Sequence, residues 1–190
     1  MGDVGVIITA TKMQLSVRSS KAERVNAVKR ALEAKDVRNA LSFIRSKGWS
    51  IDETKAEVAM HKLKDGKMLA VGFPVSEKAV LVYYEYSGIK IKSEARVYVL
   101  NGNTAKLEFI SVNGSPPVTT QGDCPPGTVE CPYCNGEIGL DCVATRCGFI
   151  CIPPCTLGPY TCALCLAVAC PAVMNSCCQG MVEIYCCPTP

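Results

Sequence analysis

The alternation of apolar and polar positions divides the chain into an extended start, two helices and a run of strands. Val4, Val6, Ile8 and Ala10 alternate, and Met13, Leu15 and Val17 continue in the opposite register. This N-terminal extended segment, residues 1–18, reads as an edge strand of the following domain, as a leader, or as a strand donated to a neighbour's sheet by β-augmentation. Helical spacing follows. Ser19-Ser20 with Glu23 is a capping signal, and Val25, Val28, Ala31 and Leu32 mark one apolar stripe. A second helix is predicted over residues 36–46, with Val37, Leu41, Phe43 and Ile44 on its apolar side and Gly48 as its C′ residue.

From Ile51 the period changes to two. Strands are predicted over residues 56–63, 68–75, 79–86, 89–99 (with a bend) and 105–112. Asp65-Gly66, Ser87-Gly88 and Asn101-Gly102-Asn103 supply tight links, because type I′ turns need positive φ. Short links make an antiparallel meander. Two helices followed by a meander give an α+β domain over residues 19–112, with the helices packed on one face of the sheet. Tyr83, Tyr84, Tyr86 and Tyr98 fit strand positions as packing residues, a binding face being the alternative.

The pattern then breaks. Residues 113–123 are rich in Gly, Pro, Ser, Thr and Asn and nearly free of core residues. They read as a linker stiffened by Pro116-Pro117 and open to a protease.

Charge sharpens this boundary. Hydrophobic residues make up 48% of the 190 and charged residues 19%, a globular composition. The net charge of +3 conceals an asymmetry. Up to Thr120 there are 19 Lys and Arg against 12 Asp and Glu; beyond it Arg146 stands alone against five acids. Lys62, Lys64 and Lys67 flank a hairpin, and Lys90 and Lys92 alternate, so the basic residues read as solvated faces and not as a nucleic-acid site.

The cysteines change the picture most. All 14 lie in the last third: Cys124, Cys131, Cys134, Cys142, Cys147, Cys151, Cys155, Cys162, Cys165, Cys170, Cys177, Cys178, Cys186 and Cys187. This even, dense set predicts a disulfide-stapled domain over residues 124–190. Cys147 and Cys151 at i, i+4 and Cys162 and Cys165 at i, i+3 suggest shared helix faces. Two or three short helices are expected, broken near Pro153-Pro154, Pro159 and Pro171. Such scaffolds persist in oxidising surroundings, which predicts a secreted or extracellular protein, intracellular thermophile proteins being the exception. The start Met1-Gly2-Asp3-Val4 carries no visible signal peptide.

Other chemistry fits less well. Cys131-Pro132-Tyr133-Cys134 and Cys162-Ala163-Leu164-Cys165 have metal-ligand spacing, but ten further cysteines stay unexplained and the one histidine, His61, lies outside the region. Cys-Pro-Tyr-Cys also has the spacing of thiol–disulfide oxidoreductases, without the βαβ setting that activates them. No nucleotide-binding glycine pattern, G-x-S-x-G or H-E-x-x-H occurs. His61, between Met60 and Lys62, reads as a surface histidine. The expectation is a protein that is not an enzyme and carries no cofactor or metal. Residues 147–182 contain no charge over 36 positions. They read as a buried core, or as a segment that meets the protein's own N-terminal domain or a membrane surface.

The layout resembles the halocin C8-like bacteriocin family. The stretches that carry the resemblance are Val25-Asn26-Ala27-Val28-Lys29-Arg30-Ala31-Leu32, Asp36-Val37-Arg38, Leu41-Ser42-Phe43-Ile44-Arg45-Ser46-Lys47-Gly48-Trp49 and Lys78-Ala79-Val80-Leu81-Val82-Tyr83-Tyr84. On the C-terminal side they run from Asp141-Cys142 to Cys178, then Met181-Val182-Glu183-Ile184-Tyr185-Cys186. The resemblance implies an antimicrobial cysteine-rich peptide preceded by an immunity or carrier module. The competing expectations are an extracellular filament subunit that self-associates through residues 4–17, and an intracellular metal-binding protein.

Overall fold

A computed structural model describes residues 14–16 (backbone only), 20–119 and 122–190. Strand β1 (Gln14–Ser16) is followed by helices α1 (Lys21–Glu33) and α2 (Lys35–Ser46). A meander of β2 (Glu57–Leu63), β3 (Gly66–Val75), β4 (Ala79–Ser87), β5 (Ser93–Asn101) and β6 (Thr104–Val112) comes next. The remainder comprises β7 (Val118–Thr119), β8 (Thr128–Cys134), β9 (Glu137–Gly139), α3 (Leu140–Cys147), α4 (Ile152–Thr156), α5 (Pro159–Ala169), α6 (Pro171–Met174) and β10 (Val182–Pro188). The fold is α+β, with a disulfide-rich C-terminal part.

Local chemistry explains the first elements. Ser20 and Glu23 form a reciprocal capping box at the start of α1. Gly48 follows α2 with φ +72°. The meander pairs in sequence order, so the sheet runs β1-β2-β3-β4-β5-β6-β9. β1 occupies one edge, with Leu15 opposite His61. The rest of the N-terminal alternation, residues 4–13 and 17, lies outside the described residues. One strand starts later than its pattern predicts. β5 begins at Ser93, because the Asn113 side chain accepts hydrogen bonds from the Lys92 and Ser93 amides at 2.9 and 3.2 Å and holds residues 89–92 as a loop.

Strand alternation sends side chains to two cores. Leu69, Val71, Phe73, Leu81, Tyr83 and Val97 face α1 and α2. Met68, Ala70, Val80, Val82, Tyr84, Tyr86 and Tyr98 face the opposite way, into a core shared with the cysteine-rich region. The run Ala79–Tyr84 is apolar at every position because both of its faces are covered.

The cysteine-rich part contains more strand than its sequence suggests. β7, β10 and β8 form a second antiparallel sheet, and β9 adds to the edge of the large one beside β6. The prolines begin helices instead of ending them: Pro159 and Pro171 are the first residues of α5 and α6, where a missing N–H costs nothing. The junction is folded as well. Val112 and Ser115 form a bridge, the Asn113 side chain donates to the Pro188 carbonyl, and β7 pairs with β10.

Candidate functional site

All fourteen cysteines are paired, and the pairing is concentric. Cys155–Cys162 lies inside Cys151–Cys165, which lies inside Cys147–Cys170, then Cys142–Cys177, then Cys134–Cys178. Cys124–Cys186 and Cys131–Cys187 enclose the set and cross one another. Sequence separations rise through 7, 14, 23, 35 and 44, so each ring adds roughly ten residues to the one within it. A bridge made after its inner neighbour therefore closes a short loop.

This pairing places each candidate cysteine in a bridge. Cys131 and Cys134 sit on β8 and bond to different partners, as do Cys162 and Cys165 on α5. Neither C-x-x-C pair closes on itself, and no thiol is free for a metal or for exchange. Cys147 and Cys151 do not share a helix: α3 ends at Cys147 with Gly148 at its C-cap. Each bonds to a different level of α5 or its cap.

α5 is the centre of the assembly. Residues 162–169 are all buried. One side of the helix meets α3, α4 and α6, and the other meets the sheet. The sheet admits it through Gly72. A Cβ there would lie 2.4 Å from Val168 Cγ2 and 2.8 Å from Leu164 Cδ1, so any larger residue forces these side chains or α5 to shift. Two polar contacts lock the register. Tyr84 Oη donates to the Ala167 carbonyl at 2.6 Å, and His61 Nε2 donates to the Val168 carbonyl at 2.8 Å. These carbonyls lie near the C-terminal end of α5, where carbonyls lack helical partners.

His61 thus corrects the expectation of a surface histidine: it is 1% exposed. Its face of β2 also carries Ala59 and Leu63, and that alternation is the signal that marks it as inward. Burial pushes its pKa down, and the Val168 carbonyl offsets this only in part. The imidazole is neutral, with Nδ1 buried and unpartnered.

A second seam joins β5 to β8. Glu94 is 2% exposed and pairs with Arg96 through two hydrogen bonds, at 2.7 and 3.1 Å. Tyr86 and, from the cysteine-rich region, Tyr133 donate their hydroxyls to the same carboxylate at 2.5 and 2.9 Å. Arg96 also donates to the Tyr98 hydroxyl at 3.2 Å. Its guanidinium lies 5.2 Å from the Tyr84 ring centroid and 4.9 Å from that of Tyr133. Burial, and then the Glu94 charge, pushes the Tyr86 and Tyr133 phenols well up, so they serve as donors throughout the physiological range. Burial opposes charge on Arg96, but Glu94 together with Tyr98, Tyr133 and Tyr84 more than offsets it and the guanidinium stays cationic. The sequence signal is the alternation Glu94, Arg96, Tyr98 on one strand face, which puts two charges among core positions.

The innermost end of the concentric set, residues 148–158, is the opposite in character. Phe149 is 87% exposed and Leu157 79%, with Ile150 and Ile152 also exposed. Among the described residues no group of three or more His, Cys, Asp or Glu side chains is arranged to hold a metal.

No family model, curated protein or solved structure matches this chain. Seven disulfides in so short a region suit a small secreted or extracellular module that folds in an oxidising environment.

Proposed function

We propose that the chain is a secreted, two-part bacteriocin-like protein. Its cysteine-rich region is the antimicrobial, membrane-active module, and its N-terminal region is the immunity or carrier module that covers it. The observation that carries this reading is the covering of α5. A helix apolar on all sides is stable in water only when enclosed. Here one side is closed by its own bridged helices and the other by Gly72, His61 and Tyr84 of the N-terminal sheet. The halocin C8-like layout of the sequence supports the same division. The test is the intact mass of the product outside producing cells, together with growth inhibition by that product. The expected result is a bridged C-terminal fragment that inhibits growth, and cells made resistant by the N-terminal region alone. Recovery of nothing but the full-length chain rules out release.

A second reading, a subunit of an extracellular filament, rests on β1. It pairs at the sheet edge over three residues, a place where a neighbour's strand would fit equally. Deleting residues 1–17 then abolishes polymerisation and leaves a folded monomer; assembly without them sinks the reading.

A further inference from the structure

Tyr84 and His61 meet the same helix end with different chemistry. The Ala167 and Val168 carbonyls lie in the last turn of α5, where helical partners run out. Tyr84 supplies one donor and His61 the other. Burial holds the Tyr84 phenol well above its ordinary range, so that donor is fixed. His61 is different. A carbonyl only accepts, so Nε2 carries the proton of the neutral ring and Nδ1 is a bare acceptor. Nδ1 is buried and has no hydrogen-bond partner among the described residues. A proton taken up there adds a charge and a donor where there is neither water nor an acceptor.

The elements around the ring offer no free countercharge. β1 (Gln14–Ser16) has no titratable side chain. On β3, Met68 stands opposite His61. Residues 162–169 of α5 are apolar apart from bridged cysteines. Lys62 and Lys67 pair across β2 and β3 at alternate, exposed positions, on the other face. Beyond Met68 lies Tyr86 on β4, whose hydroxyl goes to Glu94, and Glu94 is already paired with Arg96. Glu57 shares the alternation of His61 on β2, opposite Gly72. Burial raises its pKa, Arg24 opposing, so falling pH removes its charge. The Val168 carbonyl favours a charged imidazole, but burial outweighs it.

We propose that His61 is an acid-released latch on the cover of α5: proton uptake at Nδ1 frees the last turn of α5 from β2, while Tyr84 keeps the two regions together. The device gives the carrier reading above its regulation and rests on that reading. The cover is tight near neutral pH and loose in acid, and the change reverses when the proton leaves. Sign and window follow from the ring. The closed state prefers neutral imidazole, so closure is complete above the open-state pKa of about 6.5 and weakens as pH falls below it.

The experiment is NMR of the oxidised, full-length, nitrogen-15-labelled chain across pH. His61 is the one histidine, so its imidazole signals need no assignment. The ring should be the Nε2–H tautomer near neutral pH and titrate with a midpoint below about 6.5. Amide exchange of residues 167–170, corrected for its intrinsic pH dependence, should report opening that rises about tenfold from about pH 7.5 to about pH 5.5. Amides of α2 should not change. His61→Gln keeps a donor but cannot titrate, so its α5 exchange should be flat while Glu57 is unaltered. Four outcomes overturn the proposal: a ring midpoint at or above about 6.5; α5 opening that ignores pH; equal opening in α2; or the wild-type response retained in His61→Gln. The first three need no variant, so they decide the matter if His61→Gln does not fold. Growth inhibition is scored separately. A product that never inhibits growth breaks the bacteriocin reading alone, and an active product whose α5 ignores pH breaks the latch alone.

Discussion

The two faces of the large sheet are covered in different ways. α1 and α2 lie on one face as amphipathic helices, polar outward, with no covalent tie to the strands. α5 lies on the other, apolar on every side, inside a shell of bridged short helices. Each face also buries a carboxylate. On the helix face Asp36 accepts from Ser93 Oγ at 2.5 Å, Ser111 Oγ at 2.6 Å and the Gly114 amide at 2.8 Å. On the other face Glu94 is matched by the Arg96 charge. Ordinary patterning suffices where a helix has one wet side. A helix with none needs a second layer, and a region of this size stiffens that layer with disulfides.

Full reduction makes the largest break in this comparison. Each bridge contributes about 2–4 kcal/mol, and several together exceed the roughly 5–15 kcal/mol by which a domain is stable. Hydrogen exchange of the reduced, alkylated chain should show protection lost over residues 124–190 and kept in β3 and β4 beneath α1 and α2. Loss at one common rate throughout would mean that the two coverings form a single cooperative unit.

Next in size is the buried ion pair. Arg96→Met strands Glu94 without its charge partner and should cost about 3–5 kcal/mol in urea unfolding of the oxidised protein. Asp36→Asn on the opposite face exchanges an acceptor among neutral donors and should cost about 1–3 kcal/mol. The reverse ranking would contradict the contrast between the faces.

Gly72→Val tests the close approach of α5. The added methyls meet Val168 and Leu164, and overpacking of this kind costs about 1–3 kcal/mol. An unchanged melting temperature would show that α5 can shift away without loss.

The smallest effect is the pH response of His61. Its folded pKa is depressed by burial while the unfolded value stays near about 6.5. Its contribution is therefore complete above the unfolded pKa and declines as pH falls below it, by at most about 1.4 kcal/mol per pH unit. His61→Gln should flatten the stability profile below about pH 6.5 relative to wild type. Parallel profiles would remove His61 from the acid response.

Much of the fold is legible in the sequence because its signals are local. The Ser20–Glu23 box, the Gly48 terminator and the short hairpin links need no distant partner. What the chain hides is non-local. The unbroken apolar run through β4 indicates a second covering layer, yet nothing in it identifies α5 as that layer. Alternation places His61 and Glu94 on inward strand faces, yet their partners Val168 and Tyr133 come from the distant cysteine-rich region. β8 and β10 are short, interrupted by Pro132 and by cysteines, and become a ladder only when residues some 50 apart are brought together by pairing such as Tyr185 opposite Cys131.

The concentric bridges also impose an order in time. The first seven cysteines, Cys124 to Cys155, have no partner among themselves; each bonds to one of the last seven, Cys162 to Cys187. A chain emerging from its N-terminus can form no native bridge until Cys162 appears. Any oxidant that acts earlier makes only errors. Once Cys155 and Cys162 close, each of the next four bonds is the next one outward, and the last two, which cross, await Cys186 and Cys187. The molecule is closed like a set of brackets, and its correct oxidation is a matter of when the catalyst arrives as much as of which sulfurs meet.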